Sequence, residues 1–269
     1  MTKIISSQKI LLFFLALSLL TVSLASIKFF KPSNSKYTYV TVKLSQGYWW
    51  VQTPSPKEWY INNINKNDKQ YDFLGNPIAE MLVLRHYPVF NPQTNTIGYD
   101  TYLDLKLLTS YNPKTQAYSF NRNKLLVGAP IELEFSSSSF TATIINISPT
   151  PPSPNYQEKT ITLSKKNSYP WEYNAIQVGD VMSDGEQKVF EVLEKSYIPT
   201  QTLYSDQYGN LVPGNLTKTT YITIKAKVLV TNEHDKLIFA EEYPLVTNIS
   251  LPIITDNYNY SDFVVGKVE

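Results

Sequence analysis

Trp171-Glu-Tyr-Asn-Ala-Ile176-Gln-Val-Gly179-Asp180-Val-Met-Ser-Asp184-Gly185-Glu-Gln-Lys-Val189-Phe-Glu191-Val-Leu193-Glu194 has an earlier counterpart in this chain. That counterpart is Trp59-Tyr-Ile-Asn-Asn-Ile64-Asn-Lys-Asn67-Asp68-Lys-Gln-Tyr-Asp72-Phe-Leu-Gly75-Asn-Pro-Ile78-Ala-Glu80-Met-Leu82. Tryptophan, isoleucine, two aspartates, a glycine, a β-branched residue, a glutamate and a leucine recur in the same order. Recurrence at a fixed spacing is the signature of an internal duplication, and it has to be weighed before any single element is assigned. Short alternating strands also resemble one another by chance, which is the competing account.

The similarity continues downstream. Thr101-Tyr-Leu-Asp-Leu-Lys-Leu107 matches Thr220-Tyr-Ile-Thr-Ile-Lys-Ala226, Tyr118-Ser-Phe120 matches Leu237-Ile-Phe239, and Ile131-Glu-Leu-Glu-Phe135 matches Ile249-Ser-Leu-Pro-Ile253. The offset widens from 112 to 119 residues along these matches, as a few loop insertions would make it do. With 269 residues the chain has room for two ordinary domains. Its 20 tyrosines and 9 glycines favour strands, because aromatic side chains pack well on a pleated surface.

Each copy reads as strand, tight turn and hairpin. Gly179, Gly185 and Gly75 supply the positive φ that such turns need, and Asp68 and Asp180 are placed to accept nearby backbone amides, so these five are expected to be structural turn residues. A calcium site at Asp180 and Asp184 is the functional alternative. It would require further oxygen ligands and a closing glutamate at fixed spacing, which the sequence does not supply. The Pro- and Asn-rich stretches at 87–98 and 199–215 read as loops, and 101–108 and 219–230 as alternating strands. Four prolines within residues 149–154 make an extended spacer between the copies.

At the amino end, residues 10–27 carry no charge and are flanked by Lys9 and Lys28. This length lies at the lower limit for a membrane-crossing helix, and the basic head would remain in the cytoplasm. A cleaved signal peptide ending in the small residues around Ser23-Leu24-Ala25 is the alternative, disfavoured because Phe29 and Phe30 prolong the apolar stretch. Either version puts the bulk of the chain outside the cytoplasm. The expected architecture is all-β: a head and transmembrane anchor (1–31), a first small barrel or sandwich (32–147), the Pro-rich linker (148–155) and a second, similar domain (156–269).

Composition excludes several classes of function. There is no cysteine, so there is no disulfide, thiolate nucleophile or thiolate metal site. His86 and His234 are the only histidines, far apart, and are expected on the surface or in loops. Beyond the four lysines of the first 31 residues, 20 basic groups face 23 acidic ones, which gives no basic footprint for nucleic acid. No Gly-x-Ser-x-Gly elbow, His-Glu-x-x-His or phosphate-cradling loop occurs, and the signal-peptidase Ser/Lys pattern is absent because Met182-Ser183 has the wrong order. Glu132 and Glu134 share one strand face, whereas paired glycosidase acids usually sit on separate elements. Tyr48, Trp49 and Trp50 form a candidate aromatic surface for sugar rings, with burial in a β core as the commoner fate of such residues. No cofactor is implied.

The repeated turn, with Leu126-Val-Gly128-Ala-Pro-Ile131 and the strand from Phe140 to Ile147, resembles a bacterial family of unknown function whose members are short membrane-anchored proteins with one exported β domain. The resemblance implies topology and carries no catalytic residue to this chain. At Val246-Thr247-Asn248-Ile249 the second copy has threonine where the first has glycine, which puts the turn there in question. The expectation is a single-pass extracytoplasmic protein that works by binding a protein or polysaccharide of the cell envelope, as a scaffold or adaptor. The alternatives are a periplasmic adaptor subunit of a secretion or export system and an envelope hydrolase, for which the sequence nominates no nucleophile.

Overall fold

The computed structural model describes residue 18 and residues 35–44, 55–92, 95–200, 203–213 and 219–269. The first half runs β1 (Ser35–Leu44), α1 (Glu58–Ile61), β2 (Lys69–Tyr71), β3 (Pro77–Asn91), β4 (Thr96–Asn112), β5 (Ala117–Phe120), β6 (Asn123–Lys124), β7 (Pro130–Glu134) and β8 (Ser139–Ser148). The second runs β9 (Tyr156–Ser168), α2 (Pro170–Ala175), β10 (Val181–Ser183), β11 (Lys188–Thr200), β12 (Leu203–Ser205), β13 (Leu211–Pro213), β14 (Thr219–Glu233), β15 (Lys236–Phe239), β16 (Tyr243–Pro244) and β17 (Val264–Val268).

All-β architecture is what the alternating patterns predict, but the expected transmembrane helix in front of it is corrected. Among the described residues no helix is long and apolar enough to cross a membrane. A span needs about 20 apolar residues, and α1 and α2 have 4 and 6. Apart from Ser18, residues 10–27 lie outside the described residues.

The strands form two large sheets and the small β12–β13 hairpin. Strand order in the first is β2-β3-β4-β1-β8-β7, and in the second β10-β11-β14-β9-β17, with β5-β6 and β15-β16 attached to β4 and β14. The orders correspond element for element, except that a Pro-interrupted segment stands where β7 would be. Among the described residues that segment, 249–255, makes the isolated bridges Ser250 to Val264 and Ile254 to Asn259 and no ladder. Pro252 has no amide hydrogen to give a ladder.

The bulges correspond as well. One residue is left unpaired at Ile78 and Val189, at Leu82 and Leu193, and at Ile145 and Gly266. These fix the register, and they correct the sequence match at the fourth strand. The Leu82 bulge faces the Leu105/Asp104 step and the Leu193 bulge the Ala226/Lys225 step, so Leu105 takes the place of Ala226 and Thr101 that of Ile222, not Thr220. The slip is two residues, which leaves every side chain on its predicted face. The stretch read as a loop at 87–98 is instead the β3–β4 hairpin, and β11, β12 and β13 take up much of 199–215.

Period-two alternation fills each core. Val40, Val42, Leu103, Leu105, Leu107, Leu133 and Ile144 are sealed in the first half. Ile161, Leu163, Ile222, Ile224, Val228, Phe239, Phe263 and Val265 are sealed in the second. One of the two sheets is nearly barrel-shaped. In the first sheet the edge strands β2 and β7 meet where the Gln70 Oε1 accepts from the Glu134 backbone amide at 3.4 Å.

Candidate functional site

The joint between the halves is built on the outer face of the first sheet. Register places Lys43 and Arg85 on either side of Tyr102, and Thr41 opposite Asp104. Residues two apart share a face, so Lys43, Thr41, Arg85, Tyr87, Asp100, Tyr102 and Asp104 all point away from the Val40–Leu105 core. They are nonetheless sealed, with Lys43, Arg85, Asp104, Tyr87 and Tyr102 all buried. The cover is the β15–β16 hairpin of the second half.

At that hairpin Ala240 and Glu241 adopt left-handed backbone angles, φ 48° and 67°. Arg85 Nε donates to Glu241 Oε1 and its Nη1 to Asp104 Oδ2, each at 2.7 Å. Thr41 also donates to Asp104, at 2.8 Å. Lys43 Nζ bonds Glu242 at 2.6 Å and pairs with Asp100 at 3.3 Å. Burial acts to lower the pKa of Arg85, but Asp104 and Glu241 hold it above the ordinary value. Burial pushes the Glu241 carboxyl up against the pull of Arg85. Two cations thus face four carboxylates, of which Asp104 and Glu241 are largely buried and Glu242 remains 41% exposed, and each cation binds one acid from each half.

A second hairpin completes the joint. The His86 backbone amide donates to Asp184 O at 2.8 Å, along the edge of β3 beyond the end of β2. Gly185, φ 96°, lies on the His86 ring so closely that a Cβ would stand 2.8 Å from Nε2. Glu186 receives Lys66 at 2.9 Å. His86 is therefore not a loop residue: it sits half-buried within β3, its Nδ1 buried without a hydrogen-bond partner among the described residues, and burial lowers its pKa. His234, at the exposed β14–β15 turn, does lie on the surface.

The five turn residues occupy corresponding places, but the acids reach further than their own turns. Asn67 (φ 66°) and Gly179 (φ 91°) donate to Met81 O and Val192 O, and Asp68 O and Asp180 O accept from the same two residues. The Asp68 carboxylate accepts from the amides of Lys69 and Ser137, at 2.9 Å each, and from the hydroxyls of Ser136 and Ser137. It thereby ties the β2 edge to the β7–β8 loop. Burial raises its pKa, but these bonds outweigh that and bring it down to about 2. Asp180 accepts from Gln177 N at 2.9 Å, Asn257 Nδ2 at 2.6 Å and Tyr260 Oη at 2.9 Å, which closes the second half in the same way. Gly75 turns the exposed β2–β3 hairpin. Asp184 accepts from the amides of Glu186 and Gln187, at 2.8 Å each, as a turn residue does. No group of three or more metal-ligating side chains occurs among the described residues.

Tyr48, Trp49 and Trp50 lie outside the described residues. Two other tryptophans are presented to solvent from the corresponding helices, Trp59 on α1 at 70% exposure and Trp171 on α2 at 63%. α2 starts with Pro170, whose missing amide hydrogen costs nothing at that position, and Glu172 accepts from the Tyr169 amide. Lys195 donates to Tyr173 O and Ile176 O at the other end of the helix. Trp171 stacks nearly parallel to Tyr169, centroids 6.4 Å apart. A polar cleft of about 640 Å³ lies at the seam of the first sheet, lined among others by Gln70, Asn123, Lys124, Glu132 and Glu134. The two glutamates do share a face, both open to solvent.

Sequence reasoning missed the joint. Arg85, Asp104 and Glu241 are scattered charges, and only the partner hairpin makes their burial sensible. The one readable signal was the polar alternation Asp100, Tyr102, Asp104 on a strand whose other face carries Leu103, Leu105 and Leu107. Compared with known protein families, with curated proteins and with solved structures, the chain matches none.

Proposed function

We propose that this chain is a two-module binding protein that serves as a scaffold in the cell envelope, outside the cytoplasm. The observation that supports the reading best is the joint. Ion pairs of the buried Lys43 and Arg85 span two sheets of like strand order, and each half presents an exposed tryptophan from the corresponding short helix. Exposed large aromatics supply contact area at small entropic cost, and tryptophan is over-represented among residues that dominate interfaces. A rigid joint presents two such sites at a set distance, which is what a scaffold requires and a flexible tether does not give. The extracytoplasmic address rests on the sequence of the amino-terminal segment, uncharged from residue 10 to 27.

The test is capture from envelope extracts by the full chain, with Trp59→Ala and Trp171→Ala variants alongside. Both side chains are exposed, so the variants should unfold within about 0.5 kcal/mol of the parent. The proposal expects a defined protein or polysaccharide retained by the parent and lost by the double variant. Equal capture by both, or none by either, would overturn it.

A further inference from the structure

The joint uses the hairpin tips of the second half and a face of the first, which leaves the corresponding tip of the first half and face of the second uncovered. Strand order and bulges set the correspondence: the β10–β11 tip, Asp184–Gly185, matches the β2–β3 tip around Phe73 and Leu74, while His86 and Tyr87 on β3 match Tyr197 and Ile198 on β11. Where the joint covers them, Tyr87 is 3% exposed, whereas Ile198 is 63% and Tyr197 49% exposed. The free tip is more apolar than its counterpart, with Phe73 at 95% and Leu74 at 72%. An apolar tip and an apolar strand edge have thus been left bare at the two positions that the chain itself shows to fit together.

We propose that a second copy of this chain covers them: Phe73 and Leu74 of one molecule seat on Tyr197 and Ile198 of the next, repeating between molecules the contact that Asp184 and Gly185 make on β3 within one. Each half then places its tip on the face of the half before it, through joint and contact alternately. Such an interface joins different surfaces of the two partners, so its repetition builds a ring or an open head-to-tail chain of molecules. Among the described residues no strand pairs the edge of β11 beyond β10, and a bare strand edge lends itself to backbone pairing of the kind Asp184 makes on β3. This inference goes beyond the scaffold reading and does not depend on it.

The experiment is sedimentation velocity of the full chain across a concentration series, with two variants, Phe73→Ser/Leu74→Ser (tip) and Tyr197→Ser/Ile198→Ser (face). All four side chains are exposed, so both variants should fold, as circular dichroism will show. The parent should grow in mass with concentration past the dimer, and each variant alone should stay monomeric. An equimolar mixture of the two should form dimers and stop there, because one intact tip meets one intact face. A parent monomeric up to its solubility limit, a variant that still assembles, or a mixture that does not dimerise would overturn the proposal. Capture of other envelope components through Trp59 and Trp171 is unaffected by any of these results.

Discussion

Replacing Arg85 with methionine removes the cation that two buried carboxylates share while keeping most of the side-chain volume. The side chains of Arg85, Asp104 and Glu241 are 5%, 3% and 15% exposed, and both ion-pair distances are 2.7 Å. Breaking a pair so deeply placed strands a charge away from water and costs about 3–5 kcal/mol, against about 0–1 kcal/mol for an exposed pair. Lys267 and Glu269, at 68% and 49% exposure, provide such a pair in the same molecule. Arg85→Met should therefore lower the midpoint of thermal unfolding by roughly 6–20 °C, at about 2–4 °C per kcal/mol for a protein of this size, and Lys267→Met should barely move it. Adding Asp104→Asn and Glu241→Gln to Arg85→Met neutralises the stranded acids and should recover much of the loss. Urea unfolding of the four proteins, followed by tryptophan fluorescence, gives the free energies. An Arg85→Met cost below about 1 kcal/mol would place the cluster in the exposed class and refute the closed joint.

Three further outcomes can be checked. Asp68→Ala and Asp180→Ala should each destabilise by about 1–3 kcal/mol, the range for losing hydrogen bonds to a charged group, and melting curves should be the same with and without calcium; a calcium-induced rise lost in either variant would assign the acids to a metal. Gly128 and Gly185 both have positive φ, but a Cβ on Gly128 meets nothing within 4 Å while one on Gly185 meets His86, so Gly128→Ala should cost about 1–2 kcal/mol from the backbone alone and Gly185→Ala should cost more, an order that chemical denaturation will test. For pH, the folded pKa of His86 lies below its ordinary 6.5, so the unfolded chain takes the proton first and stability should fall as pH drops below 6.5, a decline absent in His86→Phe. The folded pKa of Asp68 is depressed from 3.8 to about 2, so its contribution is complete above 3.8 and lost as pH falls from there through 2, and Asp68→Asn should remove that second decline.

How far the sequence could be read depended on which physical signal each residue carried. Asn67 and Gly179 could be matched by eye because a positive φ tolerates few residue types, and Asp68 and Asp180 because each follows directly in the same turn. The fourth strand was misplaced by two residues because alternation at period two is unchanged by such a shift; nothing in Thr101–Leu107 marks one register over another, and the bulges that do mark it belong to the neighbouring strand. Threonine at 247 does not break the turn. Asn248 occupies the place of Gly128: each amide donates to the last strand of its half, to Val265 O and Ile144 O, and asparagine accepts φ 67°. The roles of the two acids were legible only as local turns, since Ser136, Ser137 and Tyr260 approach them from 68 to 80 residues away. The joint was least legible, because its charges are polar in sequence and buried only by a hairpin more than 150 residues distant.

The central place of β1 in the first sheet, and of β9 in the second, also sets a timetable. The first strand of each half to leave the ribosome is flanked in the finished sheet by the last, as Val42 is by Ile144 and Leu163 by Val265. Neither half can close until its final strand has been synthesised, and until then β1 or β9 presents an unpaired edge to whatever strand is near. Such long-range pairing is slow and exposed to error. The chain meets this exposure with its seven residues from 149 to 155, which separate the closing strand of one half from the opening strand of the other. By the time β9 emerges, every strand that could mistake it for β1 has already been synthesised and can already be paired.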